Sequence, residues 1–507
     1  MEKLKRSHVS ILGLALLLAI NATLLWGGAF PFLPYGMQTP EVLIIFYLLQ
    51  SLSFSSTLLI RAVTTYRRKS PGGHMSVLSS GAPIFIGCSC LIATLYIPGL
   101  TMPLVCIGAL LLGTGCAGYL VLLQRSFASK EAEQGTLYII LGVGFSAVVY
   151  FILALIPIAV TSFVIALILV PLCGLSIVLS SREIDFTQPM FEDVPQQNKR
   201  VYLNTIKGYW PSAVCVGCLG FISGLVRSTV LTDPALGNIL NLMSMIGALL
   251  SSIALLILWK KTSFSLDVIN AFRIIFPFIT TSFLLLPFLG VYFLDMFAAA
   301  IYMVFSFSLT IMMVQCAQAS RDIGINPVFI FGFFGTIVYF LQSIGFLMGT
   351  STYLAGAFGY HSILVITLGA LWLLSMAMFF VRGQIHDVYS MLHSSPSRVE
   401  FIQRDTQKNG DAADQLSVKK VIMDDVNFKD RISKRCAVLK HRYMLSTREA
   451  EVMELIARGY SGAHIAEVLV VSENTVRTHS RRIYTKLDIH KRQELHVLLE
   501  SVDLSTQ

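Results

Sequence analysis

Arg477 and Arg481 lie four residues apart in the basic stretch SENTVRTHSRRIYTKLDIH, which runs from 472 to 490. On a helix that spacing puts both guanidiniums on one face, with Thr478 beside them. A guanidinium is a rigid fork of donors that matches the O6 and N7 edge of guanine. Arg482 and Lys486 flank the same segment. The residue types offer recognition of a polyanion rather than bond making.

Several elements must hold that face in place. Ser472 is a good N-cap for the helix, and Val476, Ile483 and Leu487, spaced by seven and four, supply its apolar back. Upstream, LSTREAEVMELIARGY opens with a capping box. Ser446 caps the helix and Glu449 reaches back to it. Val452, Leu455 and Ile456 form the expected buried stripe, and Gly459 is the stop. SGAHIAEVLV reads as a second short helix burying Ile465, Ala466 and Leu469, and HKRQELHVLLESV as a fourth. A lead-in helix places Phe428, Ile432, Cys436, Leu439 and Tyr443 on one face. Two helices, a tight turn and an arginine-bearing third helix describe a helix-turn-helix, whose third helix can enter the major groove.

The motifs LSTREAEV, IA.GYS, IAE.L, SENTV..H and Y.KL.I, between 445 and 502, resemble the LuxR-type DNA-binding domain of bacterial regulators. The resemblance implies that Arg477, Thr478 and Arg481 face bases. It implies that Ser472, Asn474, Thr475 and Lys486 contact phosphates. It also implies a homodimer on DNA, paired through the fourth helix. Two positions depart from the family pattern: Gly462, Ala463 and His464 replace a customary polar-Lys-Glu, and Ser480 stands where an apolar residue is usual.

The rest of the chain is of another kind. It has 507 residues, 55% of them hydrophobic and only 13% charged, and its net charge is +9. Soluble domains carry about 25% charged residues, so most of this chain belongs in a bilayer. Twelve apolar stretches are long enough to span. They lie near 9–30, 42–63, 77–97, 103–124, 137–156, 158–179, 209–231, 236–258, 269–290, 296–318, 328–349 and 360–381. The N-terminal stretch lacks a convincing cleavage site and reads as a retained first helix. If Lys3, Lys5 and Arg6 are cytoplasmic, every basic loop falls on the same side, and the alternate turns hold no Lys or Arg. The tail is then cytoplasmic too. A long loop at 181–208 splits the spans six and six, which resembles the major facilitator architecture. That family's signature loop corresponds to RAVTTYRRKSPGGH, which keeps Arg67, Arg68 and Lys69 but lacks the Asp and the preceding Gly.

Ionisable groups inside spans mark function. No carboxylate lies deep in any expected span, since Glu41, Asp233 and Asp295 fall at outer ends. Arg273 is near enough to an end to snorkel. Arg227 is the possible membrane ligand site: it could hold an anion, or pair with Asp233. Most of the nine cysteines sit in apolar runs, and Cys215-x-x-Cys218 lies inside a span with no second pair, so helix packing is their reading. No catalytic constellation, metal site or cofactor motif is expected, hence no enzyme.

The expectation is an all-α protein with a transmembrane bundle at 1–381, a flexible linker at 382–427, and a lead-in helix plus DNA-binding domain at 428–507. As a coil, a linker of roughly 45 residues reaches about 35–40 Å. The chain resembles membrane-anchored LuxR-type regulators. That implies a one-component transcriptional regulator in the bacterial cell membrane, with both termini cytoplasmic. Its partners would be double-stranded DNA, the lipid bilayer and an unknown small-molecule or membrane signal. The alternative is a major-facilitator-type transporter with a regulatory DNA-binding tail. A passive anchor that holds a promoter at the membrane is a third possibility.

Overall fold

The computed structural model describes residues 9–25, 32–68, 75–186, 188–196, 198–228, 234–261, 264–267, 291–354, 369, 398–401, 436, 438–440, 442–443, 445–457, 465, 473–487, 489, 494–495 and 498. The chain divides into two compact units, Met1–Arg404 and Asp405–Gln507. The first is a helix bundle.

Seven described helices are long and apolar enough to cross a membrane, and Val9–Leu24, Leu78–Ala93 and Asn241–Ile257 are shorter apolar helices. Together they carry ten of the twelve expected spans. The expected span at 269–290, Arg273 included, and that at 360–381 apart from Gly369 lie outside the described residues. The chain is a multi-pass membrane protein. Large side chains such as Leu59, Ile60, Phe85, Ile152, Leu167 and Ile168 are exposed on the bundle's outside. Such a surface is stable against lipid, not water.

The first half of the bundle comprises α1 Val9–Leu25, α2 Pro40–Tyr66, α3 Leu78–Ala93, α4 Thr101–Ser129, α5 Ala132–Ala154, α6 Ile158–Val164 and α7 Val170–Ser181. The sixth expected span is divided between α6 and α7 by a π-turn at Ile165–Leu169. Pro171 explains it. A proline has no N–H to give the carbonyl four residues back and its ring crowds that carbonyl, which a widened turn relieves. The glycines of GALLLGTGCAG set the fit of α4. A Cβ on Gly113 would strike the Gln50 carbonyl of α2, and one on Gly115 or Gly118 would strike α3 at Ile84 or Ser80. Without a hydrophobic drive between helices in lipid, such close backbone approach supplies the packing energy.

A short helix, α8 Pro189–Glu192, precedes the second half: α9 Lys199–Ser228, α10 Pro234–Lys261, α11 Val291–Ile323 and α12 Pro327–Leu354. The polar first turns of α9 carry it well beyond the expected start at 209. At 1.5 Å per residue a helix of 30 residues is about 45 Å long, more than the hydrocarbon core. Gly324, with φ 76°, ends α11, and the Gly324 and Ile325 amides both donate to the Ser320 carbonyl.

The loop between the halves is pinned rather than slack. Arg125 of α4 stands 5.5 Å from the ring centres of both Phe186 and Phe191. Lys130 pairs with Glu183. The Gln188 amide donates to the Ser129 carbonyl at 3.0 Å and that of Gln196 to the Arg67 carbonyl at 3.1 Å. Tyr202 of α9 donates its hydroxyl to Asp193 and accepts the Asn326 amide at 3.3 Å. The loop thereby ties α2 and α4 to α9 and to the α11–α12 turn.

Strand β1 Phe264–Asp267 pairs antiparallel with β2 Arg398–Phe401, with Phe264 opposite Phe401. The described elements are otherwise helices. This ribbon is a local addition to the all-α expectation, and β2 lies in the segment expected to be a linker.

Candidate nucleic-acid interface

In the second unit the first helix of the expected motif is α13 Thr447–Ala457, and the third is α14 Glu473–Leu487. Ser446 immediately precedes α13. The Glu449 amide donates to the Ser446 Oγ at 3.3 Å and the Ser446 amide donates to the Glu449 Oε2 at 2.8 Å. Both arms of the capping box are therefore made, satisfying two amides that a helix start leaves open.

Ile483 and Leu487 of α14 are buried with Cys436, Leu439, Leu445, Val452, Met453, Ile456, Ile465, Ile489 and Leu495, and Tyr443 and Leu455 are partly buried against them. The α13 stripe is thus centred one residue away from the expected one. Met453 and Ala457 are fully covered where Leu455 is only partly so. Successive residues turn by about 100°. Val452, Met453, Ile456 and Ala457 thus share one arc and Leu455 falls on its edge. A stripe read by apolar type alone favoured the leucine. Phe428, Ile432, Ala466, Leu469 and Ser472 lie outside the described residues, as do the side chains of Asn474, Thr475 and Val476.

Turning α14 by the same angle separates two faces. Ile483 and Leu487 point to the core, while Arg477, Thr478, Arg481, Arg482, Thr485 and Lys486 are exposed on the opposite arc. Arg477, Thr478 and Arg481, expected to face bases, stand together on it. Asn474 and Thr475 lie on the first turn of α14, next to Ser472 in sequence. Lys486, expected to contact phosphate, has an engagement within the domain that spacing did not foretell: its Nζ donates to the Glu449 Oε2 at 2.6 Å. One carboxylate thus closes the α13 cap and ties α14 to it. The Lys486 ammonium, followed by the Ser446 amide, pulls the Glu449 carboxyl down to about 2.

Arg227, the expected membrane ligand residue, is buried near the end of α9. Its guanidinium carbon stands 5.0 Å from the ring centre of Tyr47. Asp233 lies outside the described residues. Cys215 and Cys218 are both buried.

Residues 443–499 match the family described as bacterial regulatory proteins, luxR family. The oxygen regulatory protein NreC of Staphylococcus haemolyticus (strain JCSC1435) is 50% identical over 52 residues, which are 10% of this chain and 24% of that protein. The uncharacterized response regulatory protein YgeK of Escherichia coli (strain K12) is 36% identical over 78 residues, 15% of this chain and 53% of that protein. The chain thus spans between about a quarter and a half of these relatives, through its tail. Among solved structures, the major facilitator superfamily transporter FucP in its outward conformation covers 74% of this chain, and 97% of itself, at 12% identity and a TM-score of 0.47. The human organic anion transporter MFSD10 (TETRAN) covers 73% of this chain, and 99% of itself, at 14% identity and a TM-score of 0.47.

Proposed function

We infer that residues 443–499, which match the luxR family, act as a DNA-binding helix-turn-helix module. We propose that the whole chain is a membrane-bound one-component regulator and not an enzyme. Its bundle responds to a signal, and its tail binds promoter DNA. The observation that supports this most directly is the exposed face of Arg477, Thr478 and Arg481 on a helix backed into a folded core. Arg477 and Arg481 read guanines bidentately, each discriminating by roughly 1–3 kcal/mol. Ser472, Asn474, Thr475 and Lys486 hold backbone phosphates, which set register without reading sequence.

In this reading the chain lies in the bacterial cell membrane with both termini in the cytoplasm. The alternation of basic and Lys/Arg-free loops supports that orientation. Two tails bind two half-sites as a homodimer. The signal acts only through differential affinity for two arrangements of the bundle, since equal affinity shifts nothing. The pinned loop between the halves, with Arg125 held by Phe186 and Phe191, is the element such a shift would have to loosen.

The test is genome-wide chromatin occupancy with matched transcripts, comparing the wild type with the double variant Arg477→Ala/Arg481→Ala. Loss of occupancy and response at the same few promoters is expected. Identical maps from both proteins would remove the reading. The transporter alternative is separated by uptake into sealed vesicles after deletion of residues 382–507.

A further inference from the structure

The cavity beside Arg227 has a volume of about 60 Å³. It is lined by helices from both halves of the bundle. Asn21 comes from α1, Tyr47 and Gln50 from α2, Arg227 from α9, and Gln342 and Phe346 from α12. Its wall carries a cluster of open polar atoms. Arg227 is 7% exposed, and neither its Nε nor its Nη2 has a hydrogen-bond partner. The Nε2 of Gln50, a residue 4% exposed, is also unpaired, and so is the Oδ1 of Asn21, a residue 5% exposed.

Buried polar groups are nearly always satisfied, so this concentration points to a missing partner. The pattern says what kind. Nε and Nη2 share one edge of the guanidinium, and that edge takes both oxygens of a carboxylate. Gln50 adds a third donor on the same wall. The ring of Tyr47 holds the guanidinium from its face and leaves the edge open. Arg125, also buried, has its guanidinium over the adjacent rings of Phe186 and Phe191, and the half-buried Arg321 donates its Nε to the Ala128 carbonyl at 3.4 Å. Leu18, Phe54 and Phe346 make the remainder of the wall apolar.

We infer that this cavity binds a small carboxylate with an apolar body, the carboxylate seated on the Nε–Nη2 edge of Arg227 and the Nε2 of Gln50. The inference names the class of signal for the regulator proposed above. It rests on that reading only for its effect on DNA.

The test uses the full chain in nanodiscs of zwitterionic lipid. Its thermal midpoint is followed during titration with benzoate, with benzamide as the uncharged analogue and nitrate as the ionic control. The expected result is a saturable rise with benzoate alone. Arg227→Gln should abolish it. Arg227→Lys, which keeps the charge and loses the paired edge, should weaken apparent affinity by about tenfold. Gln50→Leu should weaken it severalfold. Equal shifts with benzamide or nitrate, an unchanged benzoate shift in Arg227→Gln, or no shift with benzoate, acetate or octanoate at millimolar concentration would overturn the inference. If Arg227→Gln fails to fold, the comparison of benzoate with benzamide on the wild type still decides. A parallel measurement of promoter occupancy with and without benzoate keeps the two ideas apart. Binding without a change in occupancy sinks the sensor reading and spares the site. Occupancy intact with no carboxylate binding does the reverse.

Discussion

Glu449 in the tail and Arg227 in the bundle, both buried, are treated in opposite ways. In the tail, Glu449 is 5% exposed, and its Oε2 accepts from both the Ser446 amide and the Lys486 ammonium. Arg477, Arg481 and Arg482 stand on the exposed arc of α14. In the bundle, the polar atoms of Arg227, Gln50 and Asn21 are just as buried and left open toward a cavity. A domain that meets its ligand across a surface can pair its buried charge internally and put its donors outside. A domain that admits a ligand must leave donors unsatisfied inside until the ligand arrives. In the proposed reading, the two recognition events fall outside the tail's core and within the bundle's.

Removing the exposed donors should sharpen that contrast most. Arg477→Ala/Arg481→Ala is expected to cost roughly 1–3 kcal/mol of base discrimination per arginine. That would flatten promoter preference in a binding assay with the full chain, while the thermal midpoint stays within error of the wild type. A fall in stability of similar size would mean that the two guanidiniums serve the fold.

Packing comes next. Gly113→Val is expected to destabilise the bundle by about 1–3 kcal/mol or more, because its Cβ meets the Gln50 carbonyl and not a movable side chain. Lower yield and a lower midpoint in nanodiscs would show it. Since Gln50 also lines the cavity, benzoate binding should fall in the same variant.

The tail's internal satisfaction can be broken with Glu449→Ala, which removes the reciprocal cap and leaves Lys486 without its carboxylate. A lost cap costs about 1 kcal/mol. Protease resistance of the tail in the intact chain should fall accordingly. The pH dependence has a definite sign. The carboxyl is depressed from 4.5 to about 2, so its contribution is whole above pH 4.5 and is lost as pH falls toward 2. A side-chain carbon titration of Glu449 in the intact chain should show the low midpoint, and in Lys486→Ala the midpoint should move up toward 4.5.

The smallest effect expected is that of Lys486→Ala on DNA itself. It should weaken binding alike on all sequences and reduce the salt slope by about one. A change in sequence preference would mean that Lys486 reads bases.

Much of this was legible without coordinates. The capping box could be read from Ser446 and Glu449, because a cap depends on residues three apart whatever lies around them. The arginine face of α14 followed from a spacing of four for the same reason. Ten described helices stand where apolar length placed them, since a bilayer imposes one thickness on every span. What was misjudged depended on neighbours distant in sequence. Met453 displaced Leu455 in the α13 stripe because the angle of approach of α14 chooses the buried arc.

The sequence by itself determined the composition of the two units, the periodicity of their helices, the basic face of the tail, and Arg227 as the buried charge to question. Each depends on residues within a turn or two of one another, or on the uniform demand of the bilayer. Only the tertiary structure decided that Lys486 shares the carboxylate of Glu449, 37 residues away. The same is true of the loop at 181–208, which locks five helices together, and of Arg227, Gln50 and Asn21, which come from three helices to one cavity. Side-chain chemistry and helical spacing are local properties. Which orphaned donors converge is settled by how the helices cross, and no single stretch of sequence carries that.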